Sequence, residues 1–310
     1  MSIKINSYGG IITWCFRKKF SQYTSKMALE TAAKLYKNKT NKYIKKFGEA
    51  ENKPLFKIVN IETINRCNGR CAFCPANVKA EKRELKRMDE SVFRSIVDQL
   101  YELNWKGQIF LNVNNEPLLD DNIFQYARYV KERLGENVSL AMFTNGTMLT
   151  IEKLERLAPY LNILIINNYS QKYSLNENNK KIYHYVKKNH KKFDNLHITI
   201  NRRYSEEILA TRAGNAPNKK KKNNNVNTPC IYPYVDLTIF PDGKVGLCCN
   251  DCFEVTDYGN VINQSLVEIW LGDRFATVRK QLEKGRQNFE FCKECDVVDT
   301  GFREKIIETE

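Results

Sequence analysis

CNGRCAFC, residues 67–74, places Cys67, Cys71 and Cys74 on one short loop at the spacing CxxxCxxC. The run FKIVNI at 56–61 alternates like a buried strand, so the cysteines are expected at a strand's C-terminal end. Three thiolates this close together can hold three irons of a 4Fe–4S cluster, leaving the fourth iron open to a small chelating molecule. A zinc knuckle or plain packing is the competing use of such cysteines. Zinc usually takes four ligands, commonly as two CxxC-like pairs, and this loop offers three at another spacing.

Outward from the loop, strand and helix patterns alternate from Phe56 to about Asn201. MDESVFRSIVDQLYELN has helical spacing of apolar residues, GQIFLNV reads as a strand, DNIFQYARYVKERLG as a helix, and NVSLAMF as a strand ending in Thr144-Asn145-Gly146. IEKLERLAPYL, NILIIN, IYHYVKKNHKKF and LHITIN continue the alternation. Repeated βα units predict an α/β fold, a partial (β/α) TIM-type barrel of five to six parallel strands whose ligands bind at the C-terminal strand ends. Five strands are clear, and a sixth is expected from the residues between His197's strand and Cys230. The cysteine loop, NNEP at 114–117 and TNG at 144–146 all fall at such strand ends.

At these residues the chain resembles the radical S-adenosylmethionine (radical SAM) superfamily, whose motif is CxxxCxxC with an aromatic residue, here Phe73, before the last cysteine. The resemblance implies that Cys67, Cys71 and Cys74 carry the cluster and that S-adenosylmethionine chelates the open iron. One-electron reduction would cleave it to methionine and a 5′-deoxyadenosyl radical, which takes a hydrogen atom from the substrate; the protein positions the reactants and excludes water. Most relatives carry Gly-Gly-Glu after the second strand. This chain has Asn114, Asn115 and Glu116, and the resemblance implies that Glu116 binds the methionyl amine. Asn tolerates positive φ better than other non-glycine residues, so the loop is expected to survive the exchange. Thr144 and Asn145 stand where the family contacts ribose and methionine. Arg202, Arg203 and Arg212 are candidates to pair the cofactor's carboxylate, with Arg203 taken first; a charged surface loop explains them equally well.

Beyond a KKKKNNN tract (219–225), expected to be an exposed loop, Cys230 is followed by VDLTIF, PDGK and VGLCC, a hairpin with an Asp-Gly turn, and later by FCKEC. Cys230, Cys248, Cys292 and Cys295 can form a four-thiolate site, with zinc as the competing occupant. The segment resembles the SPASM/twitch extension of radical SAM enzymes, whose pattern includes G-x4-C; Gly243 to Cys248 fits it. The resemblance implies one auxiliary 4Fe–4S cluster and the division 1–54 basic helical extension, 55–228 radical SAM core, 229–310 small iron–sulfur domain. Cys249 and Cys252 remain as packing residues, alternative ligands or a hydrogen-atom donor, and Cys249 is the candidate for that catalytic role. Adjacent on a strand, Cys248 and Cys249 would point to opposite faces.

With 42% hydrophobic residues in 310, the chain can build a proper core. No apolar run reaches the roughly 18–20 residues of a membrane span, and GGIITWCF followed by RKK does not read as a signal peptide. Ten cysteines at motif spacings argue for metal rather than disulfides and for a reducing cytoplasm. Of the net charge of +14, residues 1–53 hold 12 Lys/Arg against 3 Asp/Glu. This segment reads as helical and solvated, with Cys15 a packing residue and an anionic membrane surface as a candidate partner.

Hydrogen abstraction from a sugar, aminocyclitol or glycan precursor, leading to dehydrogenation or epimerisation, is the leading expectation. The alternative is a maturase of a ribosomally made peptide, although such enzymes often carry a peptide-binding module for which residues 1–53 are short. A metal-bearing nucleic-acid binder is disfavoured because no recognition motif accompanies the charge. A flavodoxin or ferredoxin is the expected reductant.

Overall fold

The computed structural model describes residues 3–7, 24–219 and 227–297. The expected helix at TWCFRKKFSQY with Cys15, and the KKKKNNN tract apart from Lys219, lie outside the described residues.

In chain order the elements are β1 (Ile3–Ser7), α1 (Thr24–Glu49), β2 (Ile58–Ile61), α2 (Glu90–Glu102), β3 (Gly107–Phe110), α3 (Ile123–Leu134), β4 (Val138–Thr144), α4 (Ile151–Leu157), β5 (Ile163–Tyr169), α5 (Glu177–Lys188) and β6 (His197–Arg203). A short α6 (Tyr232–Val235), β7 (Asp236–Ile239), β8 (Val245–Gly246), α7 (Leu266–Leu271) and α8 (Asp273–Glu283) follow. One sheet runs β1-β6-β5-β4-β3-β2-β7-β8, parallel throughout except for the antiparallel β7–β8 pair. All the parallel strands therefore end at one edge, which gathers the loops after β2, β3 and β4.

The helices form for the reasons their sequences show. α2 buries Phe93, Ile96, Val97 and Leu100, and α3 buries Ile123, Tyr126, Ala127 and Val130, each set one helical stripe. Thr150 and Asn176 cap α4 and α5 through their side chains, and Ser265 with Glu268 forms a capping box on α7. These stripes cover Val59, Ile61, Ile109, Leu140, Met142, Leu164 and Ile166 on one face of the sheet. On the other face Ile58, Phe110 and Ala141 form a smaller apolar cluster with Phe143 and Ile163. That inner face turns polar across the strands, with Asn60 bonded to Asp236 and Thr238, and Asn201 to Asn167.

The α/β class and the five central strands agree with expectation. The further strands come from elsewhere. Among the described residues, 204–219 contain no strand. β1, from the segment read as helical, pairs with β6 from Ile3↔Ile198 to Ser7↔Arg202, and β7 pairs with β2 from Ile58↔Asp236 to Ile61↔Ile239. The Asp242-Gly243 hairpin forms as expected, with Gly243 at φ +78, but its first strand also extends the main sheet. Strand pairing between distant segments leaves no periodic mark in either one, which is why both additions escaped the pattern.

α1 is helical as expected. It buries Tyr36, Thr40, Tyr43, Ile44 and Phe47 and exposes Lys34, Lys37, Lys42, Lys45 and Lys46. No helix among the described residues is long and apolar enough to cross a membrane.

Candidate functional site

The cysteine loop is held by bonds from its own backbone and from neighbouring loops. Gly69 N–H donates to Cys67 Sγ at 3.3 Å, and Cys74 N–H to the Cys71 carbonyl at 3.1 Å. The Asn77 side chain donates to the carbonyls of Cys71 and Cys74 and accepts from the amides of Lys79 and Ala80. Ala72 N–H reaches the Ser205 carbonyl at 3.0 Å, and Glu116 N–H the Arg66 carbonyl at 2.9 Å. A Cβ placed on Gly69 would stand 3.2 Å from Cys67 Sγ and 3.8 Å from Cys71 Sγ, so the two thiols turn toward one small volume. Cys74 joins them electrostatically, and burial pushes the Cys67 and Cys71 thiols up to about 12. Such thiols ionise when a cation binds them, which is what iron would supply.

Phe73 is buried with its ring 5.4 Å from Tyr169 at the end of β5. Arg203 at the end of β6 forms an ion pair of 2.6 Å with Glu207 and stands beside Cys71 and Tyr169.

Glu116 is almost fully buried and organises the loops after β3 and β4. Its carboxylate accepts from Thr144 Oγ1 at 2.7 Å, Asn145 N–H at 2.7 Å and Leu118 N–H at 3.2 Å. Burial pushes its pKa up. A carboxylate offers about four acceptor positions, so roughly one remains for an amine. Asn145 in turn bonds Asn68 of the cysteine loop at 2.7 Å. Gly146, at φ +74, has no room for a Cβ, which would meet Asn179 Oδ1 at 2.1 Å.

The two asparagines that replace the family's glycines divide the work. Neither takes positive φ, so the loop needs no glycine here. Asn115 Oδ1 accepts from Val113 N–H, while its buried Nδ2 has no partner, an orphan donor that a ligand carboxylate would satisfy. Asn114 turns the other way. Its Nδ2 donates to the Cys249 carbonyl at 3.1 Å, and its Oδ1 accepts from Arg212 Nη2 and from the Cys252 thiol at 3.3 Å. Its N–H donates to Glu62 at 2.8 Å. Glu62, pushed up to about 7 by burial, sits in a buried network in which Arg83 binds Glu62 at 3.1 Å, Glu81 at 2.8 Å and Glu254 at 2.9 Å.

Arg212 was indistinguishable in sequence from two other loop arginines. In the fold it is the one that joins the two sides of the site, half-buried and bonded to Asn114 and to Asn250 Oδ1 at 3.2 Å. Burial opposes its charge, but the nearby thiols Cys252, Cys74, Cys249 and Cys248 outweigh that and hold it protonated. Arg212 and Ala213 both adopt left-handed backbone, at φ +53 and +54, a strain of order 1–3 kcal/mol per residue that surrounding contacts must offset. Thr211, bonded to Glu294 and Asp296, provides such contacts. This segment therefore joins the two cysteine sets.

In the second set Cys230, Cys248, Cys292 and Cys295 are all buried, and Cys248 lies within electrostatic reach of the other three. Cys295 N–H bonds the Cys292 carbonyl at 2.9 Å in the CxxC turn. Burial raises the thiols of Cys230, Cys248 and Cys292, and each is raised further by its neighbours. β8 ends at Gly246, so strand alternation does not separate Cys248 from Cys249 as expected; the turn after the strand does. Cys249 is half-buried beside Arg212 and Cys252, and Cys252 is fully buried. Among the described residues no three His, Cys, Asp or Glu side chains converge on one ion's position. Cluster thiolates bind separate irons and have no need to. Both donor sets fit iron–sulfur clusters in residue type, burial and mutual proximity.

Two family models match the chain: the radical SAM superfamily over residues 61–204 and the SPASM iron–sulfur cluster-binding domain over residues 230–296. The chain is 25% identical over 257 residues to the S-adenosyl-L-methionine-dependent 2-deoxy-scyllo-inosamine dehydrogenase of Niallia circulans, covering 81% of this chain and 97% of that protein. In fold it is similar to BtrN in complex with AdoMet and 2-DOIA, at TM-score 0.68 and 24% identity, over 79% of this chain and 94% of that one. The AdoMet-bound anSMEcpe structure matches at TM-score 0.52 and 13% identity, over 78% and 86% of the two chains. The chain belongs to the radical SAM superfamily and carries a C-terminal SPASM-type iron–sulfur cluster-binding domain.

Proposed function

We propose that this protein is a radical SAM oxidoreductase that dehydrogenates a secondary alcohol of a small polyhydroxylated substrate of the aminocyclitol or sugar class. The observation that carries this reading is the Asn114–Arg212–Asn250 bridge, which puts the SAM-side loop and the auxiliary cysteine domain against one guanidinium. The relative from Niallia circulans supports the substrate class, being a dehydrogenase of an inosamine. When bound, the first cluster and S-adenosylmethionine supply a carbon radical able to remove a hydrogen atom.

The chain's own residues do the rest. Cys67, Cys71 and Cys74 hold the first group, and Phe73 with Tyr169 walls it off. Glu116 fixes Thr144 and Asn145 and keeps an acceptor for the methionyl amine, while Asn115 Nδ2 offers a donor to the carboxylate. Turning a secondary alcohol into a ketone removes one hydrogen atom, one proton and one electron. The buried thiols of Cys230, Cys248, Cys292 and Cys295 provide for a group that can accept that electron. Cys249 and Cys252 stand beside Arg212, and Cys249 as hydrogen donor would turn the outcome toward epimerisation. A low-potential carrier such as flavodoxin or ferredoxin supplies the reducing electron, in a reducing compartment such as the cytoplasm.

Incubating the reconstituted, reduced protein with S-adenosylmethionine and an aminocyclitol panel should yield 5′-deoxyadenosine and ketone in equal amounts. Cleavage of S-adenosylmethionine with no oxidation of any polyol would sink the substrate class. An inverted carbinol centre would favour epimerisation.

The lysines exposed on α1 are proposed to attract anionic surfaces. Sedimentation with anionic liposomes should exceed that with neutral ones and weaken with salt; equal binding to both would remove the membrane from the partner list.

A further inference from the structure

Arg286 is the second guanidinium of the thiol-rich region, and unlike Arg212 it is fully buried. It lies 1% exposed just before the CxxC turn, in a short helical turn spanning Arg286–Asn288. Nη1 contacts the Cys295 carbonyl at 3.4 Å and Cys295 Sγ at 3.8 Å, and Nη2 donates to Tyr36 Oη at 3.3 Å. Nε has no partner. Among the described residues no carboxylate pairs with Arg286, whose contacts are Cys295 and Tyr36.

Burying an uncompensated cation is strongly unfavourable, so such groups in folded proteins are paired with an anion or lose their charge. Arg279 shows what happens in this chain away from the thiols. Burial pushes it down to about 10, still protonated at neutral pH, and the carbonyls of Pro233 and Trp270 with the Trp270 ring compensate its charge. Arg286 is likewise a permanent cation, and its side-chain contacts are groups of the auxiliary site, Cys295 and Tyr36. Tyr36 comes from α1, outside both matched family segments, and its hydroxyl also accepts from Ile231 N–H at 3.1 Å, next to Cys230. The chain thus brings a cation and a hydroxyl from two distant segments together beside one four-cysteine set.

We propose that Arg286, held by Tyr36, is the buried counter-charge of the auxiliary site, positioned so that its cation favours the more reduced state of a cluster bound by Cys230, Cys248, Cys292 and Cys295. The inference rests on the iron–sulfur reading of that site and deepens its role as electron acceptor. A four-thiolate cluster carries net negative charge that grows by one on reduction, and its potential responds to nearby charge and to hydrogen bonds on its sulfurs. A fixed cation at the Cys295 sulfur stabilises the reduced form more than the oxidised one.

The test is an EPR-monitored redox titration of the anaerobically reconstituted full-length holoenzyme and its R286Q, R286K and Y36F variants. In R286Q the equilibrium constant for adding an electron to the auxiliary cluster should fall at least tenfold, a shift of about 59 mV to lower potential. R286K should stay near wild type, and Y36F should shift in the same direction as R286Q by less. An unchanged auxiliary potential in R286Q, or equal shifts in R286Q and R286K, overturns the proposal. So does equal loss of the second cluster's iron from R286Q and R286K, which would make the role structural. Loss in R286Q with retention in R286K supports the counter-charge. The titration needs no substrate: an absent shift with intact polyol oxidation defeats only this inference, whereas a clear shift without polyol oxidation defeats only the proposed substrate.

Discussion

Replacing Cys67, Cys71 and Cys74 together by alanine should abolish cleavage of S-adenosylmethionine and lower iron from about eight to about four per chain. The effect is complete because Cys67 and Cys71 face each other across Gly69, Cys74 lies within electrostatic reach of both, and these three are the cysteines of that loop. The remaining iron should keep its spectrum, since Cys230, Cys248, Cys292 and Cys295 are buried in a separate segment. Iron analysis and 5′-deoxyadenosine assay on the same sample check both halves. Iron near four in the unmodified protein, with zinc in the second site, would show that the auxiliary site is not iron–sulfur.

The second large effect separates two adjacent thiols. Cys248→Ala should remove the auxiliary cluster and with it substrate oxidation, while leaving cleavage of S-adenosylmethionine without substrate intact. Cys249→Ala should keep both clusters. Cys248 is buried among Cys230, Cys292 and Cys295, whereas Cys249 is half-buried, and its carbonyl is bound by Asn114. If Cys249 donates hydrogen, its alanine variant will still consume S-adenosylmethionine but stall at the substrate radical, visible by EPR. Loss of iron from the Cys249 variant alone would reverse the assignment.

Both experiments were legible in the sequence, and it is instructive which parts of the site were not. Glu116 was placed by a four-residue motif at a strand end, but its carboxylate is taken up mainly by Thr144 and Asn145 of the next loop. Asn114, expected beside the cofactor amine, faces Arg212, Cys252 and Cys249 instead. Arg203, the arginine chosen from the sequence, is paired with Glu207 at 2.6 Å, while Arg212 is the one that bonds Asn114 and Asn250 beside the thiols. Three arginines look alike in sequence until their partners tell them apart, and partners belong to the whole fold.

The amino-acid order settled whatever depends on near neighbours: three thiols within eight residues, helix stripes of three- and four-residue spacing, and the Asp242-Gly243 turn with its left-handed glycine. The assembled fold settled whatever depends on partners far along the chain. β1 joins β6 across nearly two hundred positions, β7 pairs with β2 as well as with its hairpin partner β8, and Tyr36 meets Arg286 at a separation of 250 residues. A strand edge or a guanidinium accepts any complementary partner that packing brings to it, so the local sequence records that a partner is needed and leaves its identity to the chain's three-dimensional path.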